Sequence, residues 1–333
     1  MKKYYLFLWL MLFACLVVMT EYGIVKLYDA LPFEGAEDVR LMHRLTKLKD
    51  PQSYDVLILG DSSATNGIDP QIIERVTGLS AYNLATYRNV TAYADTTLLE
   101  RYLRYHQSPK IIIVGRSIHM WHQVQARETV YEYFFSPRTM HDALTDYPLA
   151  LEERLTIYIS QLWPSFRLAY SLKHRLFGVQ KDMAADFSAF ERHNGFVPTF
   201  GRIKEGSRIE ALQKNADSIP SENTSLLQSI CNLAVEHRIQ LIFVTTPHAP
   251  SIGFDTTNDP FPPYYDEFIS ESLRSVSPEY CHYLTNTPFA DAVHLSDPIH
   301  LNATGSTLFT TQLANRLLPF LSESGSVMQM KQW

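Results

Sequence analysis

A serine, a histidine and an aspartate stand in this chain where they can work together. Ser62 follows the run Tyr54-Asp55-Val56-Leu57-Ile58-Leu59-Gly60-Asp61, and Asp297-Pro298-Ile299-His300 lies near the far end. A serine hydroxyl is a weak nucleophile near neutral pH until a base takes its proton, and imidazole suits that task. An aspartate three residues before a histidine lets a turn fold the carboxylate back onto Nδ1. That fixes the tautomer and leaves Nε2 for the serine. The residue types predict acyl-transfer chemistry with Ser62 as nucleophile, His300 as base and Asp297 as the acid that orients it. Asp291-Ala292-Val293-His294 has the same spacing and is the alternative pair. The Asp297 pair is preferred because Leu301-Asn302 and Gly305 follow it at the start of a closing helix. His294 then lines the cleft.

The elements around these residues must bring them to one place. Tyr54 to Leu59 is short, apolar and without alternation, as in a strand buried on both faces of a parallel sheet. Chemistry in such sheets sits past the carboxyl ends of the strands, where Gly60 permits a tight turn. Gly-Asp-Ser is also an ordinary turn sequence, and only the distant Asp-x-x-His gives it a chemical reading. Asp69-Pro70 starts a helix that Gly78 stops. Strands are predicted at Ser80 to Ala85, Lys110 to Val114, Ile239 to Thr245 and Tyr280 to Leu284. Helices are predicted at Thr91 to Gln107, Ser221 to His237 and Gly305 to Leu317. The alternation pauses at about 123–215, read as a helical insertion over the carboxyl edge of the sheet. It includes Leu149 to Leu162, Phe166 to Phe177 and the irregular Asn194-Gly195-Phe196-Val197-Pro198. The fold class is α/β with a parallel sheet.

The chain has 333 residues, 18 prolines, 13 glycines and a formal charge of −6. That composition excludes a disordered chain. Lys and Arg are scattered, so no basic stripe suits nucleic acid. Lys2 and Lys3 precede 17 uncharged residues, Tyr4 to Thr20, which Glu21 ends. Residues 1–21 read as an uncleaved signal anchor with its N-terminus in the cytoplasm. A removable signal peptide is the alternative, but no Ala-x-Ala site follows. Leu12-Phe13-Ala14-Cys15 resembles a lipoprotein box, yet the next residues stay apolar. Residues 22–52 read as a helical stalk and 53–333 as a domain outside the cytoplasmic membrane. Without Lys2 and Lys3, 27 Lys and Arg stand against 35 Asp and Glu, giving an acidic exported part. Cys231 and Cys281 read as two buried free thiols, with pairing open in an oxidising compartment. His119 and His122 flank Trp121 without a carboxylate or cysteine at metal spacing, so no metal and no cofactor is expected. Trp121, Tyr131, Tyr133, Phe134 and Phe135 read as the insertion's own core rather than a sugar-stacking surface.

Gly60-Asp61-Ser62 after the first strand, with Asp297-Pro298-Ile299-His300-Leu301-Asn302 before a C-terminal helix, resembles the SGNH/GDSL hydrolase superfamily. The resemblance spans residues 54 to 317. It implies a flavodoxin-like three-layer α/β/α sandwich, a Ser62–His300–Asp297 triad and hydrolysis or transfer of acyl esters. The middle motifs depart from the family. Tyr82-Asn83-Leu84-Ala85-Thr86-Tyr87-Arg88-Asn89 lacks its oxyanion glycine, and Val114-Gly115-Arg116-Ser117-Ile118-His119 lacks its oxyanion asparagine. Ser62, Arg88 and Ser117 are the oxyanion candidates, with Arg116 and His119 as further alternatives. The anchor, Gly67-Ile68-Asp69-Pro70 and Asn194-Gly195-Phe196 are similar to a membrane-anchored extracytoplasmic branch. Its members assist polysaccharide O-acetylation or teichoic-acid D-alanylation. That branch implies a cell-envelope glycan or acyl ester as substrate and a membrane-bound O-acyltransferase as partner. A catalytically silent domain that binds glycan or such a partner is the competing expectation.

Overall fold

Three apolar runs form the middle of a parallel sheet, and each is buried nearly throughout. They are β1 (Val56–Gly60), β3 (Ile111–Arg116) and β4 (Gln240–Thr245). The computed structural model describes residues 2–30, 47–48, 50–86, 92–117, 192–202, 221–249, 263–284 and 290–322, with Leu155, Ile159, Trp163 and Ser165. β2 (Ala81–Asn83) and β5 (Cys281–Leu284) complete a five-stranded sheet of order β2-β1-β3-β4-β5, parallel throughout. Alternate side chains of the central strands enter two separate cores. Leu57, Leu59, Ile112, Val114, Leu241 and Phe243 face one side, and Val56, Ile58, Ile111, Ile113, Ile242 and Val244 face the other. Burial on both faces is why these runs carry no polar alternation.

Seven α-helices are present among the described residues: α1 (Lys2–Ala30), α2 (Ser62–Gly67), α3 (Pro70–Thr77), α4 (Ala92–Leu103), α5 (Ser221–Glu236), α6 (Pro263–Arg274) and α7 (Ala303–Ser322). Leu98 and Leu99 of α4, Leu227 and Ile230 of α5 and Ile269 and Leu273 of α6 cover the first core. Ile73 of α3 and Phe309, Leu313 and Leu317 of α7 cover the second. α3 begins and ends on the expected residues. The Asp69 carboxylate accepts the Gln71 N–H at 2.9 Å, Pro70 opens the first turn, and Gly78 (φ 74°) closes the last.

Several expectations are corrected. The tight turn expected at Gly60 leads straight into a helix, since α2 begins at Ser62 itself, capped by Asp61. The sequence reading assigns nothing to 263–274, where α6 lies. β2 is shorter than Ser80 to Ala85, because the Asn83 side chain takes the Ala85 N–H at 3.0 Å. α1 runs through Glu21 to Ala30, so the expected anchor and the first residues of the expected helical stalk form one continuous helix, because a single glutamate does not break a helix. At about 1.5 Å per residue α1 is about 43 Å long. Its segment Tyr4–Leu27 has a mean hydropathy of 2.0 and none of it is buried, and it is long and apolar enough to span a membrane or act as a signal anchor. Stalk residues 31–46 and most of the 123–215 insertion lie outside the described residues.

Cys231 and Cys281 form a disulfide with a Cα–Cα distance of 6.0 Å, which corrects the free-thiol reading. α5 crosses the sheet above β5, so a helix residue and the first residue of an edge strand meet within the ordinary reach of a bridge. Sequence spacing carries no trace of that crossing.

Candidate active site

Gly60 ends β1 in a backbone conformation that favours glycine, with φ at 125°. A Cβ there would lie 1.8 Å from the Gly115 carbonyl oxygen on β3. Gly115 is its register partner, and a Cβ on it would meet Ile68 at 2.8 Å and Ala64 at 2.9 Å. Two bare backbones side by side thus let α2 settle onto the strand ends, with Ser62 as its first residue. Neighbours fix the turn further. Gly60 N–H donates to Asp95 at 2.9 Å, and Gly60 C=O accepts Thr86 N–H at 2.8 Å. Asp95 also pairs with Arg116, both buried. Burial pushes the Asp95 carboxyl up, against the pull of Arg116 and the Gly60 N–H.

Asp61, 1% exposed, holds α2 from beneath. Its Oδ1 accepts the Ser63 N–H at 2.8 Å and the Ser63 hydroxyl, and its Oδ2 accepts both the N–H and the hydroxyl of Ser117 at 3.0 Å each. The carboxylate thereby ties the Ser62 turn to the end of β3.

His300 stands on a loop closed at its neck. Leu295 pairs with Leu301 in an antiparallel bridge, Ser296 N–H donates to His300 C=O at 2.9 Å, and Asn302 N–H donates to His294 C=O at 2.8 Å. Pro298 C=O accepts Ala249 N–H at 2.8 Å, tying the tip to the chain after β4. Within the tip, Asp297 Oδ1 accepts the N–H groups of Ile299 and His300, both at 2.9 Å. That local turn aims Oδ2 at His300 Nδ1, 2.7 Å away. His300 Nε2 lies 2.8 Å from Ser62 Oγ. Burial alone would raise the Asp297 carboxyl, but the His300 hydrogen bond and charge and the two N–H groups outweigh it and hold it below 3.8. An ionised Asp297 only accepts, so Nδ1 carries its hydrogen and Nε2 of the neutral ring presents a lone pair to the Ser62 hydroxyl.

The structure therefore brings Ser62, His300 and Asp297 together. It does not bring the alternative pair: His294 N–H bonds Asp291 C=O, and the Asp291 side chain caps nothing. Both residues instead line a cavity of about 800 Å³ against α7, beside Phe309, Leu313 and Arg316, and neither Ser62 nor His300 lines it. His294 is held away because its loop packs on Gly305, where a Cβ would meet the His294 carbonyl oxygen at 2.2 Å.

Ser117 is corrected as an oxyanion donor, since its N–H and hydroxyl both go to Asp61. The N–H groups of Leu84, Ala85 and Thr86 are likewise committed, to Ile58 C=O, Asn83 Oδ1 and Gly60 C=O. Arg116 is buried against Asp95. The Ser62 N–H, at the head of α2, has no acceptor among the described residues. Arg88, His119, His122 and Trp121 lie outside the described residues.

The irregular segment Asn194-Gly195-Phe196-Val197-Pro198, expected over the carboxyl edge of the sheet, belongs to residues 192–202, which run as a strap across three parts of the site. Asn194 C=O accepts Asn83 N–H at 2.9 Å on the outer edge of β2. Val197 N–H donates to Thr65 C=O at 3.2 Å, and Val197 C=O accepts Asn66 Nδ2 at 2.7 Å on α2. Thr199 C=O accepts Ala303 N–H at 2.9 Å, and its hydroxyl donates to Leu301 C=O at 2.5 Å beside the base loop. Gly195, with φ at 85°, passes so close to Asn83 that a Cβ would lie 2.1 Å from its carbonyl oxygen. The Asn-Gly dipeptide was the available signal, since both residues tolerate positive φ.

Compared with known proteins, the chain matches no protein-family model and no curated protein.

Proposed function

We propose that the chain is a membrane-anchored serine esterase or O-acyltransferase of the SGNH type, working outside the cytoplasmic membrane on cell-envelope polysaccharide. The observation that carries this reading is the unbroken relay from Ser62 Oγ to His300 Nε2 at 2.8 Å and from His300 Nδ1 to Asp297 at 2.7 Å. The sheet order β2-β1-β3-β4-β5, with the site past the ends of β1 and β3, supports a flavodoxin-like sandwich. The disulfide and the apolar α1 support an extracytoplasmic domain on a single-pass anchor.

In this reading Ser62 Oγ attacks the acyl carbonyl of a donor ester as its proton passes to His300 Nε2. The Ser62 N–H donates to the oxyanion of the tetrahedral intermediate. Collapse breaks the donor ester bond, and the leaving alkoxide takes the proton from Nε2. The acyl group is then an ester of Ser62. A glycan hydroxyl, or water, attacks it with His300 again as base, and the product ester or free acid leaves Ser62 restored. Asp297 stays ionised throughout and stabilises the imidazolium. A membrane-bound O-acyltransferase would be the supplier of acyl groups.

The second reading is a silent SGNH-like domain that binds glycan or such a partner. What favours it is the commitment of Ser117 to Asp61, since one missing oxyanion donor lowers rates about 10²–10³-fold. A fluorophosphonate probe separates the two. The full-length protein should be labelled, and Ser62→Ala and His300→Ala should each abolish labelling without unfolding, because members of a triad act as a unit. Absence of labelling in the folded wild-type protein refutes the enzyme reading.

A further inference from the structure

We propose that the cavity between α7 and residues 290–294 holds an uncharged glycan chain, as a subsite separate from Ser62 and His300. This rests on a cell-envelope polysaccharide being the substrate, and says where the polymer is held. One wall is a single face of α7, where Gly305, Leu308, Phe309, Gln312 and Arg316 follow one another at helical spacing. Facing it is the 3-10 turn Ala292–His294. Residues three apart eclipse in such a turn, so Asp291 and His294 both line the cavity. The walls touch where α7 begins, since a Cβ on Gly305 would lie 2.2 Å from the His294 carbonyl oxygen. Arg316 stands about 16 Å further along α7. At about 800 Å³ the cavity is long enough for several linked rings rather than one.

The lining selects the ligand. The floor is apolar and buried, made by Val244, Leu301, Phe309 and Leu313. The rim is polar: Asp291, Gln312, Asn315 and Arg316 are exposed and His294 is half-buried. Among the described residues the side chains of Asp291, His294 and Gln312 make no hydrogen bond. An aliphatic chain laid across that rim would take these groups out of water and leave them unpaired, which is costly. A sugar chain satisfies both parts of the lining. Its C–H faces cover the floor, and its hydroxyls donate to Asp291 and exchange hydrogen bonds with the Gln312 amide and the His294 ring. Asp291 and Arg316 carry opposite charges, so the rim favours no net charge on the polymer. Leu301 lines the cavity and directly follows His300. A chain seated there lies against the loop that brings His300 to Ser62.

The test uses the full-length protein in lipid nanodiscs, with cellohexaose and chitohexaose as probes and saturation-transfer NMR as the readout. The variant is Asp291→Ala with Gln312→Ala. Both side chains are exposed and make no hydrogen bond among the described residues, so the fold is kept, and an unchanged urea midpoint checks this. The proposal expects at least one hexasaccharide to bind the wild-type protein and the double variant to bind it about tenfold more weakly, since two hydrogen-bonding groups are lost. Binding of neither hexasaccharide, or equal binding by wild type and variant, overturns the subsite. Cross-linking of a diazirine-bearing palmitate to the segment 308–316, mapped by mass spectrometry, overturns it too and assigns the cavity to a lipid chain. Binding is read without turnover. Cavity-dependent binding by a wild-type protein that the fluorophosphonate does not label therefore supports the subsite while refuting the esterase reading alone.

Discussion

Replacing Asp61 with asparagine should damage the nucleophile turn more than any loss of a single hydrogen bond. The carboxylate accepts four hydrogen bonds, two from Ser63 and two from Ser117, at a point 1% exposed. An asparagine keeps one acceptor oxygen, which can still face Ser63, though without the charge. Its amide then faces Ser117. The Ser117 hydroxyl can rotate and accept from that amide, but the Ser117 N–H is left without a partner in a buried site. An orphaned buried donor costs about 1–3 kcal/mol, and a hydrogen bond to a charged group is stronger than its neutral counterpart by about 1 kcal/mol. The two Ser63 bonds and the Ser117 N–H together give a loss of about 3–5 kcal/mol for Asp61→Asn. Ser117→Ala removes one hydroxyl bond and should cost about 1–2 kcal/mol. Urea unfolding of the full-length protein in micelles, followed by far-UV circular dichroism, measures both. A shift of α2 by about 1 Å would also slow fluorophosphonate labelling of Ser62 about 100-fold in Asp61→Asn. A cost below about 1 kcal/mol for Asp61→Asn, or one equal to that of Ser117→Ala, would show that the carboxylate does not clamp the turn.

Gly60→Ala should destabilise by more than about 4 kcal/mol, because the new Cβ would meet a backbone oxygen at 1.8 Å. Gly78→Ala, also at positive φ but in open space, should cost only about 1 kcal/mol, and comparison of the two urea midpoints checks it. Replacing Cys231 and Cys281 together by alanine should cost about 4 kcal/mol, the chain-entropy value for a loop of 50 residues. Reductant should then change the midpoint of the wild-type protein and leave that of the double variant unmoved. Asp297 is held below its ordinary value when folded, so its stabilising contribution is complete above about pH 3.8 and fades as pH falls through the lowered value. The stability difference between wild type and Asp297→Asn should therefore be constant at neutral pH and shrink below about pH 3.8. A difference that grows on acidification would contradict the assignment.

Much of the fold was legible in the chain itself, and the reason is local. β1, β3 and β4 are buried on both faces, and double burial writes itself as an unbroken apolar run. α3 carries its own start and stop in Asp69, Pro70 and Gly78. The contact of Asp297 with His300 spans three residues and is made within one turn, so the spacing made it readable as a candidate. α2 was also within reach, since Asp61 is a strong N-cap residue before a short helix.

Other features depended on residues far apart in sequence, and there the chain alone offered equal alternatives. His294 and His300 have the same local spacing to an aspartate. Only the Leu295–Leu301 bridge and the packing of His294 on Gly305 decide that His300 reaches Ser62, 238 positions away. Ser117 looked free to serve an oxyanion until β3 and the nucleophile turn met through Asp61. Cys231 and Cys281 looked unpaired until α5 was laid over β5. Hydrogen bonds and disulfides act over a few ångströms. Sequence offers those made within a turn as candidates, and tertiary packing decides which distant partners come within that range.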